Sequence, residues 1–466
     1  MANIITSDII PMNRTEHGYA ALEGLAGTML LPSLMRLSAP VTEEQVKLAL
    51  RKLVTAYPKL RSIVEPGLRL YHFRVLPDGP LMDQMVDRAF HVDRHINIDD
   101  PAELEAWHRS VVNDIVPLEH GPCYMVRFVP HPERPAIIFA VPHILVDGLS
   151  VAFLVHNIIR SLNGMDIEPM PVEAPSMVGA IAPEKWWQWP VQMWKSRQHQ
   201  IAEKKRLAEV NVLQVPTRLG PHYTSSGFRH HEVSIGTDEM RKATKKVGVS
   251  LNALVVSAFA QTFLDQSPDD PKGAAVIRIS VDLRRFYPKD AKHGMLLGNH
   301  VGASLVIEQN ARKTARERLQ SVDAQLKEGI ARYTRREMCW GYLLEELMPY
   351  LGRTAIAHFA SQMKRKNKFP KISAHVTTGG NVNMINVWDK PIRIVQLYST
   401  VNSISPLSST LEIDGKYYTP LSWQLSETSN EEMADFQRRL DATLVRLVRE
   451  VLAEDAPVAA SSTVAA

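Results

Sequence analysis

His143 and Asp147 stand four residues apart, and Gly148 follows at once. An imidazole with a pKa near about 6.5 accepts a proton at neutral pH, and a general base of this kind contributes roughly 10²–10⁴-fold to a rate. Asp147 could serve as an acid, orient the ring, or act as a structural anion, and the spacing does not choose among these roles. The surroundings single the pair out. Residues 136–141 (AIIFAV) form a continuous apolar run of β character, which predicts a buried strand. Beyond Gly148, the apolar residues Val151, Leu154, Val155, Ile158, Ile159 and Leu162 recur at helical spacing. Ser150 is the expected N-cap of that helix and Asn163-Gly164 its expected end. A titratable ring is thereby expected where a buried strand turns into a buried helix, a position α/β proteins use for active sites.

Other polar residues offer less chemistry. His91 and His95 have HxxxH spacing, but Val92-Asp93-Arg94 between them reads as a polar turn with no third ligand, and no metal is expected. His120 and Cys123 flank a Gly-Pro turn, and His230-His231 reads as the surface start of a strand over 230–234. No Walker loop or dinucleotide fingerprint is present. Four of the eight tryptophans, Trp186, Trp187, Trp189 and Trp194, fall within nine residues beside lysines and arginines. That composition suits a membrane interface, and the competing expectation is a linker helix whose tryptophans pack on the second half of the protein.

The elements that must position these residues read as α/β throughout. Thr42 and Gln45 form a capping box ahead of a helix ended by Pro58. A strand is expected over 68–75, a helix over 102–115 and a strand over 123–129. Residues 165–183 read as a linker. A second half then repeats the texture: helices from Thr237 and, capped by Ser250, over 251–263; a strand over 275–281 leading into Asp282-Leu283-Arg284; and helices over 311–330 and 341–363. Strands are expected over 372–377, 384–387, 392–398, 411–413 and 417–425, and a closing helix over 431–452. The expected division is 1–175, a Trp/Lys-rich linker over 176–205, 206–455, and a tail over 456–466.

Composition sets the frame. The 466 residues are 45% hydrophobic and 22% charged, with a net charge of +4, which excludes a disordered chain. The charge is too dilute to argue for nucleic acid. Two cysteines make neither a disulfide scaffold nor a four-cysteine zinc site. The N-terminus shows no basic segment followed by an apolar one, and no stretch reads as a membrane span, so a cytoplasmic protein, with peripheral membrane contact in view, is expected.

The phrase His143-Ile-Leu-Val-Asp147-Gly148 resembles the HHxxxDG motif of the condensation-domain superfamily, which includes polyketide-associated acyltransferases, wax ester synthases, alcohol acetyltransferases and the plant BAHD enzymes. Further phrases follow in the family's order: 41–61, 116–128, Ser280-Val-Asp-Leu-Arg284, Gly298-Asn299 and Asp414–Tyr418. The resemblance implies two chloramphenicol-acetyltransferase-like subdomains with a tunnel between them. It implies acyl transfer from acyl-CoA or an acyl carrier protein to a small-molecule or lipid alcohol or amine, with no bound cofactor. His143 would be the base, Asp147 a structural partner of Arg284, and Gly148 part of the same turn. Asn252, Asn299, Thr377 and Thr378 would line the tunnel, Thr377-Thr378-Gly379 as a loop. Pro142 replaces the first motif histidine, the wax ester synthases' aspartate beside Asn252 is absent, and the plant DFGWG phrase is missing. With no adenylation or carrier segment in the chain, a free-standing O-acyltransferase is expected, with amide condensation or a non-catalytic fold member as alternatives.

Overall fold

The computed structural model describes residues 8–26, 29–66, 71–168, 177–215, 225–287, 296–366, 368–403 and 405–454. The expected tail and 169–176 of the expected linker lie outside these residues.

The apolar run ahead of His143 is the strand Ala136–Pro142, buried at all seven positions. It lies in a five-stranded sheet of order Ile394–Ser399, Leu30–Leu37, Ala136–Pro142, Met125–Val129, Phe90–Val92. Both neighbours run antiparallel to it, with Leu30 opposite Pro142 and Val129 opposite Ala136. A strand buried on both faces has no polar face to alternate with, which explains the unbroken run.

The helix after the turn is Gly148–Leu162, and its N-cap is Asp147 rather than Ser150. The Asp147 backbone is extended, and its carboxylate accepts from the Ser150 N–H at 2.9 Å. An anion at this end also meets the positive pole of the helix. The Ser150 hydroxyl is used instead across the junction between the two halves.

The second sheet has eight strands. Its main path is Val301–Gln309, Gly273–Asp282, Ala374–Asn381, Leu407–Ile413, Leu421–Gln424, Ser226–Arg229. One face of it, with Ala275, Ile277 and Val376, packs in a core with the helices Leu251–Leu264 and Asn430–Ala453. Phe263 and Phe436 meet there with ring centroids 4.7 Å apart.

The halves interlock. Ile394–Ser399, late in the chain, pairs with Leu30–Leu37 of the first sheet, and Ile394, Leu397, Tyr398, Leu407 and Leu411 belong to the first core. Two expected strands are absent. Residues 230–234 make only a bridge from Glu232 to Tyr418, the strand lying earlier at Ser226–Arg229. Residues 384–387 overlap a 3-10 turn, Asn383–Ile385. The Trp-rich segment is a 3-10 turn at Trp186–Gln188 followed by the helix Trp189–Ala208.

Candidate active site at His143

Pro142 ends its strand and His143 is the next residue, held by its own N–H to the Met29 carbonyl at 3.0 Å. The ring's Nδ1 lies 2.8 Å from the Val146 carbonyl oxygen. A carbonyl can only accept, so Nδ1 carries the ring proton and Nε2 the lone pair. Among the described residues no hydrogen-bond partner meets Nε2. The residue is 9% exposed, and burial pushes its pKa below 6.5, against the Val146 hydrogen bond that raises it. The ring is therefore neutral at neutral pH, with its basic nitrogen unspent. Tyr19 covers it, with ring centroids 4.4 Å apart at 35°.

Asp147 points away from the ring and anchors the turn to the second half. Arg284 meets it with both terminal nitrogens, Nη1 to Oδ2 at 2.8 Å and Nη2 to Oδ1 at 3.1 Å. The same guanidinium donates to the Leu296 carbonyl, Asp282, the Ser150 hydroxyl and the Gly298 carbonyl. Asp147 also accepts the His300 N–H at 2.9 Å, and its own N–H donates to the Gly298 carbonyl at 3.1 Å. Burial alone would raise the Asp147 carboxyl; the Arg284 charge overrides it and holds the group far below the usual carboxylate range. Gly298 has φ +153°, a conformation that favours glycine, and its carbonyl serves Asp147, Ser150 and Arg284 together.

Asn299 braces His143 and is held in turn by Asn13 and by Glu16 of the helix Arg14–Ala26. The Asn299 amide donates to the His143 carbonyl at 2.8 Å, and the same nitrogen lies 3.0 Å from Nδ1. Asn13 donates to the Asn299 carbonyl, and Glu16 accepts from the Asn299 N–H. Glu16 is in turn paired with Lys59 at 2.5 Å, both side chains fully buried.

His375 of the second sheet lies near enough to His143 to interact with it electrostatically, and the sheet face around it is polar. Arg278 pairs in register with His375, and Ser280 shares their face, its hydroxyl 2.9 Å from His375 Nε2. Burial drives the His375 pKa down to about 3, and Arg278 and His143 lower it further. Thr377 continues this face and is partly exposed. Thr377, where the expected strand over 372–377 meets the expected loop, and Thr378 both belong to the strand Ala374–Asn381, which carries a bulge between Thr378 and Gly380.

Among the expected site residues, His143, Asp147, Gly148, Arg284 and Asn299 come together. A Cβ on Gly148 would meet nothing within 4 Å, so this glycine leaves room in front of the turn and relieves no clash with the protein. Asn252 is not at the site. It is exposed in the first turn of Leu251–Leu264, which packs on the opposite face of the second sheet. Sequence reasoning missed Asn13, Glu16, Tyr19, Ser150, Arg278, Ser280 and His375. A fully buried lysine such as Lys59 leaves one signal, an otherwise unexplained cation inside an apolar phrase, but its partner Glu16 lies 43 residues away.

No family model matches the chain. Malpinin synthetase of Mortierella alpina is 23% identical over 263 residues, 54% of this chain but 3% of that protein, so the chain spans a small fraction of the curated relative it matches. Solved structures align over nearly the whole length. The TRI3 trichothecene 15-O-acetyltransferase of Fusarium sporotrichioides has a TM-score of 0.67 at 14% identity, covering 92% of this chain and 94% of that one. The first condensation domain of the CDA synthetase has a TM-score of 0.67 at 12% identity, covering 95% and 97%. The SgcC5 protein of Streptomyces globisporus has a TM-score of 0.65 at 12% identity, covering 94% and 99%. The chain therefore has the two-lobed α/β fold of condensation domains and of the trichothecene O-acetyltransferase.

Proposed function

We propose that this protein is an acyltransferase that moves an acyl group from a thioester, acyl-CoA or an acyl carrier protein, to a hydroxyl acceptor. The observation that carries the reading is the fixed tautomer of His143: Nδ1–H is spent on Val146, and Nε2 keeps its lone pair in a buried, neutral ring. In this reading Nε2 takes the proton of the acceptor O–H as the oxygen bonds to the thioester carbonyl carbon. The C–S bond then breaks, and the imidazolium returns its proton to the departing thiolate. Asp147 and Arg284 hold the turn and exchange no proton with substrate. The donor carbonyl would stop near His143 in a tunnel between the halves. The carbonyl is already electrophilic, so no nucleotide takes part. The exposed tryptophans of 186–194 add a second contact to this reading, with an anionic membrane surface.

The test is thiol release from a panel of acyl-CoA and acyl-carrier thioesters, with and without alcohols, for wild type and His143→Ala. Acceptor-dependent release that falls at least about a hundredfold in the variant is expected. A variant retaining more than about a tenth of wild-type turnover contradicts His143 as base.

A further inference from the structure

Three of the arginines drawn into this molecule meet carboxylates, and others, such as Arg336 and Arg61, spend their guanidinium on backbone carbonyls. Arg284 meets Asp147, Arg318 meets Glu308 with both side chains buried, and Arg14 meets Glu346. Arg278 differs. It lies within the strand Gly273–Asp282, which is paired on both sides, next to the fully buried Val276 and Ile277. Yet it is exposed, and among the described residues no carboxylate pairs with it. A cation can stand mid-sheet without a partner only where water reaches it, so open space lies over this part of the sheet.

That space adjoins His143. Arg278 shares a face with Ser280 and His375, which are hydrogen-bonded to each other. Its charge acts on Tyr19, the ring that covers His143, and His143 acts on His375 in turn. Tyr19, with its pKa pushed up to about 12 by burial, and His375, with its pKa near 3, are both neutral at neutral pH. Arg278 is then the one charge that this cluster presents to the space. A guanidinium fork matches a carboxylate bidentately.

Resting on the acyl-transfer reading, we infer that Arg278 binds a carboxylate of the substrate a few bonds from the reacting carbonyl or hydroxyl, making this a transferase for acids. The phosphate of a pantetheine arm does not fit the role, because it lies at the far end of the arm from a carbonyl placed at His143. The carboxylate belongs either to the acceptor or to the acyl group.

Two measurements test this. The first needs no turnover: saturation-transfer NMR with lactate, succinate and their methyl esters, on wild type, Arg278→Gln and Arg278→Lys. Transfer to the acids over the esters, lost in Arg278→Gln and partly kept in Arg278→Lys, is expected. Equal transfer to acids in wild type and Arg278→Gln overturns the proposal. The second compares kcat/KM for lactate against methyl lactate, and for succinyl-CoA against butyryl-CoA. Arg278→Gln should lower the acid-to-neutral ratio at least tenfold in one pair, and that pair identifies which substrate bears the carboxylate. A ratio unchanged in both pairs overturns the proposal. If no thioester is turned over while Arg278-dependent binding of acids persists, the acyl-transfer reading falls and the anion site stands.

Discussion

At the residue scale, the two polar members of the turn are separated by environment. His143 is buried beside a backbone acceptor and stays neutral, while Asp147, two per cent exposed, is kept ionised by Arg284. The first is suited to moving a proton and the second to holding a shape. Asp147→Asn should therefore cost stability before it costs chemistry. Asparagine can still cap Gly148–Leu162, but the buried Arg284 loses its bidentate partner. Breaking such a pair costs about 3–5 kcal/mol. The remaining contacts of Arg284 with Asp282, Leu296 and Gly298 put the expectation at the lower end. Denaturant titration and activity of the same sample check this. An unchanged midpoint with lost activity would make Asp147 a participant in the reaction.

At the element scale, Trp189–Ala208 is the helix whose surface does not match a buried linker. Trp186, Trp187 and Trp194 are 79%, 57% and 63% exposed, whereas Trp189 is tied by its indole N–H to the Pro183 carbonyl. The helix carries five basic residues and one acidic one. Lipid-facing tryptophan beside basic residues gains from apolar burial and from anionic headgroups together. Co-sedimentation with phosphatidylserine-containing vesicles should be salt-sensitive and lost in a Trp186/Trp187/Trp194→Ala variant. Equal, negligible binding by both proteins leaves the helix as a packed element only. The expectation that these tryptophans pack on the second half fails for three of the four. Periodicity and caps were good guides where local chemistry decides: the Thr42–Gln45 box, the Ser250 cap and the closing helix are all present. They failed where tertiary contact decides. The strand Ser226–Arg229 includes Gly227, where a Cβ would lie 2.2 Å from the Trp423 ring, so this glycine is a strand residue under an indole that sequence patterning does not reveal. Arg284 and Asn299 were reached only through the resemblance, since neither spacing nor periodicity links them to Asp147 and His143, more than 130 residues away.

At the scale of the whole molecule, the halves are joined through histidines kept neutral. His108 Nε2 lies 3.2 Å from the Pro32 carbonyl and so carries the proton there, leaving Nδ1 to accept from His230 Nε2 at 3.0 Å. Tyr398 of the crossing strand stacks on His230 at 3.8 Å. Burial lowers the pKa of His108 to about 3, of His375 to about 3 and of His300 to about 4. Between those values and the unfolded value of 6.5, the unfolded chain binds more protons than the folded one, so stability falls as pH drops below 6.5. Each such histidine costs about 1.4 kcal/mol per pH unit in that window. Asp147 joins this loss only at lower pH: its folded pKa is depressed, so its stabilisation is intact above the unfolded carboxyl value of about 3.9 and is lost as pH falls below it. Thermal melts from pH 7.5 to 4.5 should show a steep loss below pH 6.5 that His108→Gln makes shallower. A flat midpoint from pH 7 to 5 would contradict the assignment of neutral buried rings.

The central claim is direct transfer from thioester to acceptor through His143, with no acyl-enzyme. Cys123 is buried with its Sγ 3.1 Å from the Ser62 carbonyl, and among the described residues no side-chain hydroxyl or thiol is hydrogen-bonded to the His143 ring as a nucleophile would be. Intact-mass spectrometry of the enzyme mixed with acyl-CoA or acyl-carrier protein, first without and then with acceptor, tests the claim directly. The account predicts an unmodified enzyme mass throughout, and acylated product only after an alcohol is added. A stable gain of one acyl group on the enzyme before any acceptor is present would contradict it.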